Sequence, residues 1–397
     1  MKFAHLADCH LGGWREEKLR QLGVESFKRA LELCIAEKVN FVLIAGDLFD
    51  TALPPIDIIK EAVVALKCLK DAGINVYLIA GSHDFSPSRK TMLDVLEKAG
   101  LCYIVNENFI LDNSGAKIAG VCGLKGGLEK GVYSGLNYES FENESGFKIF
   151  MFHTALEEFK TKETANMPAE SVAVLPKGFD YYAGGHVHYI FDTKTENGIL
   201  TYPGALFPNN FAELEEFKHG GFYIFEDGKL SYVPLSLVDV ISIVLDANGK
   251  TPFELEGGII NSLENLDVNG KLITLRIEGT LKSGKSSDIN FKDILTRTNE
   301  AYLLLKHIKI SALEPNLEIK EDKEDELIKR ALENQEINPL KFTFEKVMSI
   351  INTIGIEKEE GEKSLDFENR LIRDVSIILL GKKIEENEIQ KNSAGEY

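Results

Sequence analysis

The chain has 397 residues, with 63 acidic against 45 basic side chains and a formal charge of −18. That length exceeds one hydrophobic core and predicts two or three domains, while the charge excludes a chain that coats nucleic acid by electrostatics alone, though not an enzyme whose carboxylates meet phosphate through cations. No apolar run approaches the ~20 residues of a membrane span, the N-terminus MKFAHLADCH lacks an apolar leader core, and Cys9, Cys34, Cys68, Cys102 and Cys122 are odd in number and scattered, so a cytoplasmic protein with reduced thiols is expected rather than a secreted disulfide framework.

Lys2–Ala7 is expected to form a first strand that delivers Asp8 and His10, two residues apart and hence on one face of extended chain. Glu16–Ala36 has a helical stripe at Phe27, Ala30, Leu31 and Cys34. Phe41–Ala45 is continuously apolar, as a strand buried on both faces should be, and Gly46 then permits a sharp turn into Asp47. Ile56–Ala72 is predicted helical. Its stripe at Ile59, Val63 and Leu66 is accompanied by Ile56, Val64 and Cys68 on other sides, the pattern of a helix deeply buried or packed on another chain. Val76–Ala80 repeats the strand-then-glycine pattern and leads into Gly81-Ser82-His83-Asp84, and Thr91–Ala99 is a short helix.

Weaker strands are expected at Asn108–Leu111 and Ile118–Cys122, and a long loop at Lys125–Ser145. Lys148–Phe152 is a strand ending in His153, Asp180–Ala183 leads through two glycines to His186 and His188, and Ile199–Tyr202 ends in Pro-Gly. Gly221–Phe225 and Lys229–Pro234 flank Asp227-Gly228 as a hairpin. Beyond Leu235 comes a β-α-β-α-β pattern: Val240–Leu245, Phe253–Leu263, Leu272–Ile277, Ile289–Asn299 and Leu304–Ile310. From Pro315 the chain is acidic, with amphipathic helices at Lys341–Asn352 and Leu365–Leu380 and a polar tail from Gly381 expected to be disordered. These shifts predict domains at 1–236, 237–313 and 314–380, followed by the tail at 381–397.

Successive strand ends thus carry Asp8, His10, Asp47, Ser82, His83, His153, His186 and His188, which include five of the eight histidines. One histidine is commonly a core or surface residue; five at strand termini point to metal. A mixed nitrogen and oxygen set of this size suits two divalent ions of the Mn²⁺ type better than one tetrahedral zinc. Such pairs lie ~3.5–4 Å apart and need a bridging carboxylate, for which Asp47 is placed centrally.

In this order, D-x-H, G-D, G-x-H-D, a strand-end histidine and G-H-x-H resemble the signature of the calcineurin-like metallophosphoesterases. The wording ADCHLG, GDLFDTALPP, GSHDFSPS and GGHVH is closer still to the SbcD-like nucleases, the nuclease subunit of the Mre/Rad double-strand-break repair complex. The resemblance implies an α/β fold, a two-sheet β-sandwich flanked by helices in four αββα layers, with a small α+β DNA-binding capping domain and C-terminal helices. It implies Mn²⁺-dependent exo- and endonucleolytic hydrolysis of DNA ends and hairpins, with Mg²⁺ an alternative ion. One ion would take Asp8, His10, Asp47 and His188; the other would take Asp47, Ser82, His153 and His186. His83 would be the catalytic histidine, with Asp50 orienting it. Implied partners are a coiled-coil SMC-like ATPase docking on the C-terminal helices, and a second copy pairing through Ile56–Ala72 with Met92, Leu93 and Leu96. On the capping segment, Lys282, Lys285, Lys292 and Arg297 are candidate phosphate contacts, and a nucleoid association is expected.

Ser82 departs from the pattern, since relatives carry a metal-binding Asn there. Asp50 stands where some members have a His associated with exonuclease activity. The same metal residues also suit a metallophosphatase acting on nucleotides or phosphoproteins, and Ser82 leaves room for a non-catalytic DNA-end scaffold.

Overall fold

A computed structural model describes residues 1–84, 91–123, 142–161, 164–196, 198–264, 266–312, 342–358 and 364–380, with isolated positions between them. The expected loop at Lys125–Ser145 lies mostly, and the tail from Gly381 wholly, outside the described residues. The chain divides into two compact units, Met1–Leu313 and Glu314–Tyr397.

The first unit is built on two six-stranded sheets. One has the spatial order Lys229–Leu235, Gly220–Glu226, Lys2–Leu6, Phe41–Ala45, Asn75–Ile79 and Tyr103–Ile104; its last four strands are parallel and its hairpin antiparallel. The other runs Phe191–Lys194, Ile199–Tyr202, Tyr181–Gly185, Lys148–His153, Lys117–Gly120 and Ile110–Leu111, with four parallel strands at its centre. Both sheets bury apolar residues on two faces at their centres, which is why central strands such as Phe41–Ala45 and Lys148–His153 are nearly continuous apolar runs. Between the sheets, Phe3 stacks on Phe41 and Phe225 with ring centroids 5.0 and 4.9 Å away and meets Tyr181 edge-on at 4.9 Å. Each such buried ring contributes roughly 2–3 kcal/mol. On the first sheet's outer face, Ala4, Leu6, Val42, Ile44, Val76 and Leu78 pack on helices Glu17–Ala36, Ile56–Asp71 and Met92–Lys98. The second sheet's outer face is covered by residues from 133–136 and 155–179, including Leu156, Leu175 and Phe179.

Two expectations are corrected here. The buried stripe of Ile56–Asp71 is Ile58, Ala62, Ala65, Leu66 and Leu69, one residue out of phase with Ile59 and Val63, which are partly buried. Leu93 and Leu96 are in the core and so cannot belong to a pairing face. Leu53, Ile56, Val64 and Val95 are the exposed apolar residues of this region.

The β-α-β-α-β segment forms a parallel three-stranded sheet, Val240–Asp246, Leu272–Leu281 and Leu303–Ala312, with helices Pro252–Glu264 and Phe291–Arg297. It has its own core around Ile243, Leu255, Ile259, Leu275 and Ile277. Leu272 at one end joins Leu19, Leu22, Phe207 and Leu214 of the preceding region in a further cluster. In the second unit, Phe344–Ile354 and Ser364–Leu380 are helical, with Thr343 accepting from Lys346 N as the first helix's cap. Ile351, Ile354, Ile372 and Leu379 are exposed. Among the described residues no helix is long and apolar enough to cross a membrane.

Candidate metal centre

The parallel strands of both sheets end at one edge. Asp8 N donates to Gly46 O at 3.1 Å, and His186 N donates to both Asp8 carboxylate oxygens at 3.0 and 3.1 Å. His153 Nδ1 donates to Ala45 O at 2.8 Å. Two sheets are thereby stitched together by the residues that the sequence nominates as ligands.

Strand alternation is not what aligns Asp8 with His10. The first strand stops at Leu6, and Asp8 and His10 have φ of 49° and 41°. Asp47 and His186 are also left-handed, at 50° and 90°, so these residues account for four of the seven non-glycine positive-φ residues among those described. Each such conformation costs on the order of 1–3 kcal/mol and persists only where its surroundings over-determine it. Here the turns aim each side chain back across the edge.

Asp8, His10 and His188 bring donor atoms within 4.8 Å of one another, as do Asp8, Asp47 and His153. His10 Nε2 lies 3.1 Å from His188 Nε2 and 3.7 Å from Asp47 Oδ2, and His153 Nε2 lies 3.2 Å from Asp47 Oδ2. Ser82 Oγ is 3.4 Å from Asp47 Oδ2, and the His186 ring is 5.1 Å from that of His153. All eight nominated residues therefore meet at one edge, with Asp47 central.

His83 N donates to Asp47 Oδ1 at 2.8 Å. Its Nδ1 donates to the Asp50 main-chain carbonyl at 2.8 Å, with the Asp50 carboxylate 3.5 Å away. The same carboxylate is 3.3 Å from His10 Nδ1. The His83 tautomer is thus set by a carbonyl, and the Asp50 carboxylate sits between two imidazoles. With Nδ1 so engaged, Nε2 is the nitrogen without a hydrogen-bond partner among the described residues, on a side chain that is 42% exposed. The four basic residues of the three-stranded sheet segment, Lys282, Lys285, Lys292 and Arg297, are all exposed. Lys282 stands roughly 30 Å along the strand from Leu272.

Three supporting residues escaped the sequence reading. Glu213 Oε1 accepts from His188 Nδ1 at 2.8 Å. Its helix, Phe211–Phe217, is capped by Asn210, whose side chain accepts from Glu213 N; the Asn-x-x-Glu spacing of Asn210 and Glu213 was the available signal. Asp84, fully buried, accepts from Leu48, Phe49 and Gly81 N at 3.1 Å each and holds the Asp47 turn in place. Burial and the nearby Asp47 charge push its carboxyl up to about 7 despite those donors. The third is Asn209, whose side chain hydrogen-bonds Asp50.

Residues 1–189 match the calcineurin-like phosphoesterase family. The DNA double-strand break repair protein Mre11 of Methanococcus maripaludis is 26% identical over 364 residues, covering 85% of this chain and 92% of that protein. Its counterpart in Sulfolobus acidocaldarius is 27% identical over 338 residues, covering 81% and 86%. That of Methanocaldococcus jannaschii is 30% identical over 254 residues, covering 60% of this chain and 67% of the relative. The chain belongs to the calcineurin-like phosphoesterases, in their Mre11 branch. It is a hydrolase of phosphodiester bonds.

A phosphoesterase of this kind works with divalent metal ions, and the donor chemistry fits them. A ring nitrogen facing a carbonyl or carboxylate must be the donor, so Nδ1–H of His153 points at Ala45 O and that of His188 at Glu213. This leaves the Nε2 lone pair of His153 directed at Asp47, and that of His188 at Asp8 and at Nε2 of His10. Such an array is repulsive unless a cation sits in it. Without metal, the proton is that cation. Burial lowers the pKa of His153, but the Asp47 carboxylate more than offsets it, raising it to about 9. For His188, Glu213 and Asp8 likewise overcome burial and raise it to about 9. His186 goes the other way, to about 3, through burial and the neighbouring His153. Metal binding should therefore expel the two protons held by His153 and His188. Calorimetric titrations with Mn²⁺ at pH 7.5 in buffers of different ionisation enthalpy should report about two protons released.

Proposed function

We propose that this phosphoesterase is a Mn²⁺-dependent nuclease that processes DNA double-strand-break ends and hairpins by two-metal hydrolysis. The observation that carries it is the convergence of Asp8, His10, Asp47, Ser82, His153, His186 and His188 on one edge around a single central carboxylate. Asp8, His10, Asp47 and His188 would hold one ion, and Asp47, Ser82, His153 and His186 the other. Together the ions would supply Lewis acidity and an activated water. Asp47 lies between the two groups and would serve both ions. Its carboxyl, despite burial, is held well below the usual range by His153 and His10, so it remains an anion throughout. His83 presents Nε2 to solvent at the rim and donates to the phosphoryl or leaving oxygen. Asp50 positions His83 through its carbonyl and His10 through its carboxylate.

The domain reading follows: 1–236 carries the chemistry, 237–313 caps it and holds duplex, and 314–380 docks an SMC-like coiled-coil ATPase. The exposed Ile351, Ile354, Ile372 and Leu379 give the docking helices their apolar surface. Lys282, Lys285, Lys292 and Arg297 make phosphate contacts without reading sequence. A second copy pairs through the exposed residues Ile56, Val64 and Val95. The protein works in the cytoplasm at the nucleoid. Resemblance to Mre11 along 85% of the chain favours this over a nucleotide or phosphoprotein phosphatase, which has no use for capping and docking segments.

The test is cleavage of end-labelled duplex and hairpin DNA with Mn²⁺, with p-nitrophenyl phosphate esters as the competing substrate. His83→Ala should retain metal binding and lose activity by about 10²–10³-fold. Absence of Mn²⁺-dependent DNA cleavage, alone and with the ATPase, would refute the nuclease. Ser82 offers a shorter and weaker ligand than an amide oxygen, so the Asp47–His153 side should bind Mn²⁺ more weakly than the His188 side. Ser82→Asn should tighten it by about tenfold, and two equal, tight sites in the unaltered chain would contradict this.

A further inference from the structure

The Phe211–Phe217 helix is seven residues long and is engaged on two sides. Toward the metal edge, Glu213 takes His188 Nδ1 on one carboxylate oxygen at 2.8 Å and Asn209 N on the other at 2.7 Å. Toward the three-stranded sheet, Glu215 Oε2 receives both Nε and Nη2 of Arg276 at 2.7 Å. The Arg276 guanidinium also lies 5.2 Å from the Phe211 ring centroid, and that ring packs on His307 at 5.5 Å. Leu214, between the two glutamates, is buried with Leu272. The ion pair is partly buried, the Arg276 and Glu215 side chains being 20% and 18% exposed, and Arg276 Nη1 also pairs with the more exposed Glu278 at 2.8 Å. It is therefore stronger and stiffer than a solvated surface pair.

Only one residue, buried Leu214, separates the carboxylate on His188 from the carboxylate on Arg276. The helix that carries both is capped at Asn210 and held on either side. A displacement of the three-stranded sheet would reach Glu213 through this helix and re-aim the His188 imidazole. Moving or weakening the partner of a metal-ligating histidine alters metal affinity.

We propose that Arg276, Phe211 and Glu215 are positioning residues for the metal centre, coupling the position of the 240–312 sheet to metal affinity at His188 through the Phe211–Phe217 helix. By linkage, the coupling runs both ways: metal at His188 restrains the sheet as much as the sheet tunes the metal. A nucleic acid or partner that shifts the sheet thereby changes the enzyme's metal loading. The inference rests on the reading of His188 as a metal ligand.

The experiment is Mn²⁺ calorimetry on the full chain, paired with hydrogen exchange with and without Mn²⁺. Arg276→Ala and Glu215→Gln should each weaken one of the two Mn²⁺ affinities by about fivefold, at the low end of site-to-site coupling, and leave the other unchanged. Arg276→Lys, which keeps charge but loses the fork and the ring contact, should rescue only part of this. In the unaltered chain, Mn²⁺ should slow exchange in Leu272–Leu281 and Leu303–Ala312. Variants that lose thermal stability while keeping both affinities, with no Mn²⁺ effect on exchange in those strands, would show a merely structural contact and overturn the coupling. If the unaltered chain binds no Mn²⁺ at all, the metal-ligand reading of His188 falls first, and the coupling with it.

Discussion

Asp47→Asn should reduce phosphodiesterase activity by at least about 10³-fold, the scale of losing a preorganised charged group at the reacting centre, and should abolish binding of the second metal. The substitution is nearly isosteric, so geometry survives while the anion does not. An amide cannot neutralise two cations at once, and the Nε2 atoms of His10 and His153 that face Asp47 Oδ2 at 3.7 and 3.2 Å lose their counter-charge. The metal-free protein gives an independent readout. The pKa of His153 is raised to about 9 against an ordinary 6.5, so its ionised pairing stabilises the fold in full below about pH 6.5 and is lost as pH rises through about 9. Asp47 has a depressed pKa, so its share is present above about pH 4. The cost of Asp47→Asn to metal-free stability should therefore be greatest between about pH 4 and 6.5 and fade toward pH 9. Thermal melts across that range check it. A cost independent of pH would mean that Asp47 acts by packing rather than by charge.

Gly185→Ala should have the largest effect on the fold, a destabilisation of about 4 kcal/mol or more, in the tail reserved for severe steric and packing lesions. Gly185 closes the strand that faces Phe41–Ala45 across the sandwich, and an added Cβ would overlap Ala45 O and press on His153 Nδ1. Those two atoms form the hydrogen bond that sets the His153 tautomer. The sheets would have to separate at the edge where the metal residues meet. Denaturant melts should show the loss, and any folded fraction should bind Mn²⁺ weakly. By contrast, a Cβ at Gly228, in the hairpin turn, meets nothing within 4 Å, although its φ of 89° still carries backbone strain. Gly228→Ala should therefore be the milder change.

Much of the sandwich was legible because its central strands are unbroken apolar runs. Phe41–Ala45 and Ile199–Tyr202 appear with the bounds their composition implies, and Lys148–His153 differs only in taking in its terminal histidine. Helix Ile56–Asp71 was placed correctly and its face misjudged, since apolar residues lie on several of its sides and only packing selects which are buried. The Phe191–Lys194 strand was missed because its alternating partial exposure gives it no apolar run.

The chain's own order of residues nominates the candidate metal ligands, because each lies at or just beyond the end of a strand that had to be buried. Tertiary structure alone decided how they face one another. Strand periodicity places Asp8 and His10 on one face; the folded chain instead aligns them through two left-handed turns held by contacts from distant segments. It likewise gave the His83 tautomer to a main-chain carbonyl, set the Asp50 carboxylate between two imidazoles, and brought Glu213 from beyond the motifs to His188. Local spacing can nominate a donor, but a hydrogen-bond partner 25 residues away or in the opposite sheet is fixed only when the two sheets close.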